Sequence, residues 1–252
     1  MPRLMDQGDD AMQQHKLAGN FAFTGTRLDK LGATEYTLAT IAVDETGSTQ
    51  GFEGPLKAML EAAVNACKKS PRSDNLLLRV IYFSDKYQSG VKEVHGFKPL
   101  AEVDPTQYPK LNPGGMTPLC DAAYSAVGAM NKYGAELKDQ DFDANGIAFF
   151  ITDGGDNQSV ATMNMVKKEL ALSVSGEMLE SMVSVLIGVN AAQCLHLLQE
   201  FHQESGITQF IDAGDATPSK LAKLAAFIDQ SISSQSQALG TGGPSQNISA
   251  TI

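Results

Sequence analysis

Strand-length apolar runs alternate with stretches of helical periodicity through most of the sequence, and a chain so patterned is confined to a layered α/β fold. The runs are YTLATIAVD (36–44), LLLRVIYF (76–83), GIAFFITD (146–153), MVSVLIGV (182–189) and GITQFIDAG (206–214). Between the first two, Leu56, Met59, Leu60, Ala63, Val64 and Cys67 recur at intervals of three and four behind Pro55, a residue that a first helical turn accepts. Leu119, Ala122, Ala123, Ala126, Val127 and Met130 form a similar stripe in a helix expected from Pro118 to Gly134. Further helices are expected over 159–172, 191–204 and 218–232. The first run is polar only at its threonines and reads as a strand covered on both faces, and right-handed crossovers then place helices on each side of the sheet. SGVKEVHGF (89–97) is shorter and more polar, and only a few residues separate it from 76–83, so it is expected to be an antiparallel edge strand. The fold class that follows is α/β, a doubly wound, mainly parallel six-stranded sheet with one antiparallel edge strand.

The rest of the chain frames that domain. Residues 1–34 are glycine-punctuated and weakly periodic; they read as an N-terminal arm in which FAFTGTRL (21–28) is a short strand or lies on the domain. The domain itself spans 35–232, and the Ser/Gln/Gly-rich residues 233–252 are expected to be a disordered tail. A chain of 252 residues, 42% hydrophobic, can bury one sizeable core. Its formal charge of -10, from 29 acidic against 19 basic residues, argues against nucleic acid and anionic membrane as partners. No apolar h-region opens the sequence and no apolar run approaches the roughly 18 residues of a membrane span, so a cytoplasmic location is expected. Cys67, Cys120 and Cys194 lack metal spacing and read as small apolar residues. His95, His196 and His202 form no motif, and GTRLDKLG (25–32) lacks the order of a phosphate-binding loop.

In an open parallel sheet, loops leaving the carboxyl ends of strands converge on a crevice. Three segments here bring oxygen-bearing side chains to such ends. VDETGST (43–49) carries Asp44, Thr46 and Ser48, which alternation sends to one side while Gly47 permits a tight turn and Glu45 faces elsewhere. ITD closes a strand on Asp153, and NPGGMT brings Thr117 to the end of a long irregular segment interrupted by Pro99, Pro105, Pro109 and Pro113. Hydroxyls and carboxylates from separate loops suit a hard divalent cation: Mg²⁺ takes six oxygens at about 2.1 Å and keeps several waters. Each residue also has a plainer role to set beside that one. Asp44 would cap the following turn, and Thr117 would be the N-cap of a helix starting at Pro118. Asp156 would cap helix 159–172 or sit behind the metal ligands, Asp85 shares the rim, and Asp121 suits the positive end of its helix.

This constellation resembles that of a von Willebrand factor A-type (vWA) domain with a metal-ion-dependent adhesion site. The family pattern Asp-x-Ser-x-Ser falls on Asp44, Thr46 and Ser48, its separate threonine on Thr117 of GGMTPLCDA, and its late acid on Asp153 of ITDGGDN. Thr46 departs from the usual first serine; its hydroxyl survives and its methyl crowds the loop. The resemblance spans about 36–232, and GGMTPL with ITDGG looks nearer to bacterial and phage-type intracellular members, such as the tellurite-resistance-associated group, than to integrins. It implies a Rossmann-like fold and Mg²⁺, with Mn²⁺ or Ca²⁺ as alternatives, held by Asp44, Thr46, Ser48, Thr117 and Asp153. It implies binding rather than turnover, with an Asp or Glu of a protein partner completing the metal shell. Two other functions fit parts of the pattern. A metal-dependent phosphoester hydrolase would use acidic strand ends, but no second acid accompanies Asp44 and no lysine is obviously placed for phosphoryl transfer. A structural subunit of an assembly, possibly phage-derived, would draw on the arm and the tail.

Overall fold

The structure, a computed structural model describing residues 11–242 and 247–249, is built on one eight-stranded sheet in the order β1-β2-β5-β4-β3-β6-β7-β8. Its strands are β1 (Met12–Lys16), β2 (Ala22–Thr26), β3 (Glu35–Asp44), β4 (Leu76–Phe83), β5 (Val91–Pro99), β6 (Asp143–Thr152), β7 (Met182–Val189) and β8 (Gln209–Gly214). Helices α1 (Glu53–Cys67), α2 (Leu119–Lys138), α3 (Met163–Ser175), α4 (Leu195–Ser205) and α5 (Pro218–Thr241) cover it. β4, β3, β6, β7 and β8 run parallel, and β5 is antiparallel to β4. Alternate residues of β3 enter opposite cores: Ala39, Ile41 and Val43 pack with α1 and α5, while Leu38 and Ala42 pack with α2, α3 and α4. That double coverage is why the run is apolar almost throughout.

The sheet has two strands more than the six expected, because residues assigned to the arm form the antiparallel β1–β2 hairpin. The hairpin docks on β5, which is therefore not the edge strand. A Cβ on Gly96 of β5 would lie 1.9 Å from the Thr24 carbonyl oxygen, so β2 reaches β5 only because that position is glycine. Polar residues fix the junction. Arg79 of β4 is fully buried and donates through Nε to Glu93 Oε2 of β5 at 2.8 Å, and through its terminal nitrogens to the carbonyl and hydroxyl of Ser125 in α2. The other Glu93 oxygen accepts from the Thr24 backbone at 2.9 Å and from its hydroxyl at 2.7 Å. Four elements thus share one ion pair, whose arginine is fully buried and whose carboxylate is about one-fifth exposed, and the polar character of β5 comes in part from Glu93 serving it.

Helix ends differ from the expectation where packing overrides local composition. Gly134 lies inside α2 and not at its end: a Cβ there would meet Leu179 Cδ2 and the Met178 carbonyl oxygen, both at 2.6 Å. α5 continues to Thr241, so 233–241 of the expected disordered tail are helix. Its serines and glutamines are small or hydrogen-bonded enough to be buried: Asn145 Nδ2 donates to the Gln235 carbonyl at 2.7 Å and Arg72 Nε to Ser236 Oγ at 3.0 Å. Ile248 packs beside β8, its carbonyl accepting from Gln209 Nε2 at 3.0 Å. Residues 1–10 of the arm and 243–246 and 250–252 of the tail lie outside the described residues. No described helix is long and apolar enough to cross a membrane.

Removing one partner of a buried ion pair leaves the other charge uncompensated, which costs about 3–5 kcal/mol. Glu93→Ala is expected to lower the unfolding free energy by about 3 kcal/mol in urea titrations, and the double substitution Arg79→Met/Glu93→Leu to recover most of that loss.

Candidate metal centre

β3 lies between β4 and β6, pairing Asp44 with Phe83 and Val43 with Ile151, so its last residue emerges at the middle of the carboxyl edge. Asp44 is wholly buried there. One carboxylate oxygen accepts the Thr46 amide at 2.7 Å, curling the loop, and the other accepts the Thr152 hydroxyl at 2.6 Å. Past that turn the Thr46 and Ser48 hydroxyls lie 3.1 Å apart, and Ser48 Oγ donates to Asp153 Oδ1 at 2.8 Å. Four of the five candidate ligands are therefore joined in one chain of contacts.

Thr117 approaches on a separate loop. Its amide donates to Asn157 Oδ1 at 2.8 Å and its carbonyl accepts from the Asn157 amide at 3.0 Å, which docks it on the loop after Asp153. Its hydroxyl faces Gly154, where an added Cβ would stand 3.6 Å from Oγ1, and carries none of the hydrogen bonds that tie the other four together. Thr117 does not cap α2 with its side chain, as its position before Pro118 suggested. Asp156 takes that part instead, accepting the Cys120 amide at 2.9 Å. Asp121 sits in the first turn of α2 and also accepts the Val160 and Ala161 amides, so α2 and the 156–161 loop staple each other.

Glu45, set aside in the sequence as facing elsewhere, does turn away from the candidate ligands, to Asn112, Tyr87 and Lys86, and is nonetheless central. It is buried, accepts the Asn112 amide at 2.6 Å and the Tyr87 hydroxyl, and pairs with Lys86 Nζ at 3.2 Å. Its backbone carbonyl accepts the Gly114 amide at 3.1 Å, and Gly47 N donates to the Gly115 carbonyl at 3.0 Å. The loop that delivers Thr117 is thus fastened directly to the loop that carries Thr46 and Ser48. Gly115 is required by this packing: its φ is +78°, and a Cβ would fall 2.2 Å from Asp85 Oδ1. Asp85 Oδ1 accepts the Met116 amide at 2.7 Å, which fixes the residue before Thr117.

Burial pushes the Asp44 carboxyl up to about 7; hydrogen bonds from Thr152 and Thr46 oppose the rise and the neighbouring Asp153 carboxylate adds to it. Burial likewise raises Asp153, with the Ser48 hydroxyl opposing it. Neither forms an ion pair among the described residues, and no group of three or more His, Cys, Asp or Glu among them is placed to hold a metal. The donor set here is two carboxylates and three hydroxyls. All are hard oxygens, and the carboxylates are desolvated and without a cation, so the residues fit a hard divalent ion.

No family model matches this sequence, and no curated protein matches it. Solved structures share its architecture. The pilus adhesin SpaC from Lactobacillus rhamnosus GG, in its open conformation, aligns with a TM-score of 0.56 and 11% identity, covering 89% of this chain and 34% of that one. Proximal thread matrix protein 1 from the mussel byssus aligns with a TM-score of 0.53 and 17% identity, covering 80% of this chain and 47% of that one. The fold is the mainly parallel, Rossmann-like α/β fold of vWA domains. The likeness is one of fold alone at these identities, and the chain spans about a third of the adhesin and about half of the mussel protein.

The electrostatics give a signed expectation. A carboxyl raised from 3.8 to about 7 makes the folded protein bind more protons than the unfolded chain between those values, so stability falls as pH rises through that window. In chelator, the stability of the chain relative to Asp44→Asn is expected to be greater at pH 5 than at pH 8. Equal pH profiles for the two proteins in urea titrations would show that Asp44 does not carry the strain.

Proposed function

We propose that this chain is a divalent-cation-dependent protein-binding module, with Mg²⁺ as the ion and an Asp or Glu of the partner as the group that completes its shell. The observation that carries this reading is the convergence of Asp44, Thr46, Ser48 and Asp153 in one hydrogen-bonded chain facing the loop of Thr117. When bound, the cation supplies a compact positive charge with replaceable oxygen positions. Thr46, Ser48 and Thr117 would offer neutral oxygens, which leave that charge unquenched toward an incoming carboxylate. Asp44 and Asp153 would hold the ion directly or through water, the cation offsetting the desolvation that raises both. Ser48 is exposed while Asp44 is fully buried, so the open side of the centre lies at the Ser48 end. A partner's acid reaches the centre from there without displacing the core.

Binding is favoured over phosphoester hydrolysis by what surrounds the acids. The position two residues beyond Asp44 holds Thr46, where a covalent aspartyl mechanism calls for a second acid. Lys86 is engaged by Glu45 and the Asn112 carbonyl, and is not free to stabilise a transferring phosphoryl group. Placement among bacterial and phage-type intracellular members rests on GGMTPL and ITDGG.

Titration calorimetry with Mg²⁺ and Mn²⁺ is expected to show one bound ion per full chain. Thr117→Val, which removes only the hydroxyl, is expected to weaken binding about tenfold or more without altering the circular dichroism spectrum. Incubation with Mg²⁺ and p-nitrophenyl phosphate is expected to release no phosphate; release that Asp44→Asn abolishes would contradict the binding reading.

A further inference from the structure

Beside the metal centre lies a cleft of about 390 Å³, within the range that takes a ligand side chain or small molecule. One wall is the turn of the β1–β2 hairpin with Phe21, whose ring lies 5.5 Å from that of Tyr124 in α2. The other walls are the 85–90 loop and the 158–165 segment, and Pro118 lies between them. Gly90, at φ +71°, fits so closely that an added Cβ would stand 3.0 Å from Asp121 Oδ2 and 3.1 Å from Pro118 Cβ. The cleft exists because the hairpin extends the sheet beyond β5.

Two features show that the cleft is built to be met by another molecule. Val160 is 88% exposed and Met165 38% exposed, and both line it. Val160 is not on a loose loop: Asp121 carboxylate oxygens grip its amide at 3.1 and 3.2 Å and that of Ala161 at 2.7 Å, and Ser159 beside it donates to Asp156. An exposed valine is thus held in place by fixed hydrogen bonds, and around one cleft with Met165, Phe21 and Tyr124 it belongs to an apolar patch of the kind that marks an interaction site.

The cleft is continuous with the metal centre. Pro118 follows Thr117 directly, and Asp85, on the cleft wall, holds the Met116 amide through Oδ1. Met116, held by Asp85 and next to Thr117, is 47% exposed. We infer that the protein segment bound at the metal centre carries a bulky apolar side chain, aromatic or leucine-like, two to four residues from its metal-binding acid, and that this side chain fills the cleft. Pro118, which lines the cleft, directly follows Thr117, so the apolar residue lies near the acid in the partner's sequence, and two to four extended residues at about 3.3 Å each reach ~7–13 Å. The inference rests on the proposed function. Charge selects against a second copy of this chain as the occupant. Each copy carries a formal -10, and Asp85, which lines the cleft, makes no ion pair among the described residues. The segment therefore belongs to a partner in which the single acid sits among apolar and basic residues.

The test is a selection of random twelve-residue peptides displayed on phage, made in Mg²⁺ against the full chain and against Val160→Asp/Met165→Asp, a pair of exposed positions whose change leaves the core intact. The wild-type chain is expected to enrich peptides that elute with chelator and share an acid and a bulky apolar residue at a fixed offset. Those peptides, synthesised, are expected to bind the double variant at least tenfold more weakly while its Mn²⁺ affinity is unchanged. Chelator-sensitive peptides with an acid but no apolar position, or equal binding to both proteins, would overturn the cleft and leave the metal reading standing. Peptides that need Val160 but ignore chelator, or that bind Asp44→Ala as well, would overturn the link between cleft and metal. A selection yielding no chelator-sensitive binder would overturn the proposed function and this extension with it.

Discussion

Everything at the carboxyl edge of the sheet is arranged around a carboxylate that has lost its water. Asp44 ends the central strand and is fully buried, and its partners among the described residues, the Thr46 amide and side chain and the Thr152 hydroxyl, are all neutral. Hydrogen bonds from neutral groups offset part of the desolvation of a negative charge, and the second acid close by opposes it further. A divalent cation, as proposed, would offset that cost. The neutral Thr46, Ser48 and Thr117 oxygens supply the remaining donors without adding to the repulsion between the two acids.

The surrounding acids have a different task. Glu45, Asp85, Asp121 and Asp156 each accept backbone amides from another segment, and in doing so they immobilise the loops that the parallel sheet leaves at its rim. Long connections lose much conformational entropy on ordering. Here the 108–117 segment is held at Glu45, Ser84, Asp85 and Asn157, so Thr117 arrives on a fixed mount. Part of the acidic excess of the chain is therefore structural: carboxylates are used as acceptors for loop amides where a larger fold would bury the loops.

The strands, the helices and the local cluster at 44–48 were legible because they depend on periodicity and short spacing. Asp153 was singled out by its place at a strand end, and Thr117 by the long proline-interrupted segment that it closes and by the resemblance to vWA domains. Interactions set by distant pairs were not legible. Glu45 acts through Asn112, 67 positions away, and nothing in its own neighbourhood marks it. The β1–β2 hairpin was read as an arm because its docking depends on a missing Cβ at Gly96 and on polar contacts of Glu93, neither of which has a periodic signature. The role of Asp156 was hidden for the same reason: its partner amide, Cys120, belongs to α2 across the crevice and not to the helix that follows it. The C-terminal half of α5 was hidden by composition, since buried serines and glutamines look like solvated ones until their partners are known.

Crystals soaked in Mn²⁺ and recorded at the manganese absorption edge would decide the matter most directly. The expected result is a single anomalous peak bounded by the oxygens of Ser48 and Thr117, with Asp44 and Asp153 behind it. A map with no peak between those loops, or with its strongest peak at a surface acid elsewhere, would contradict the assignment of this crevice as a metal centre and leave only the fold.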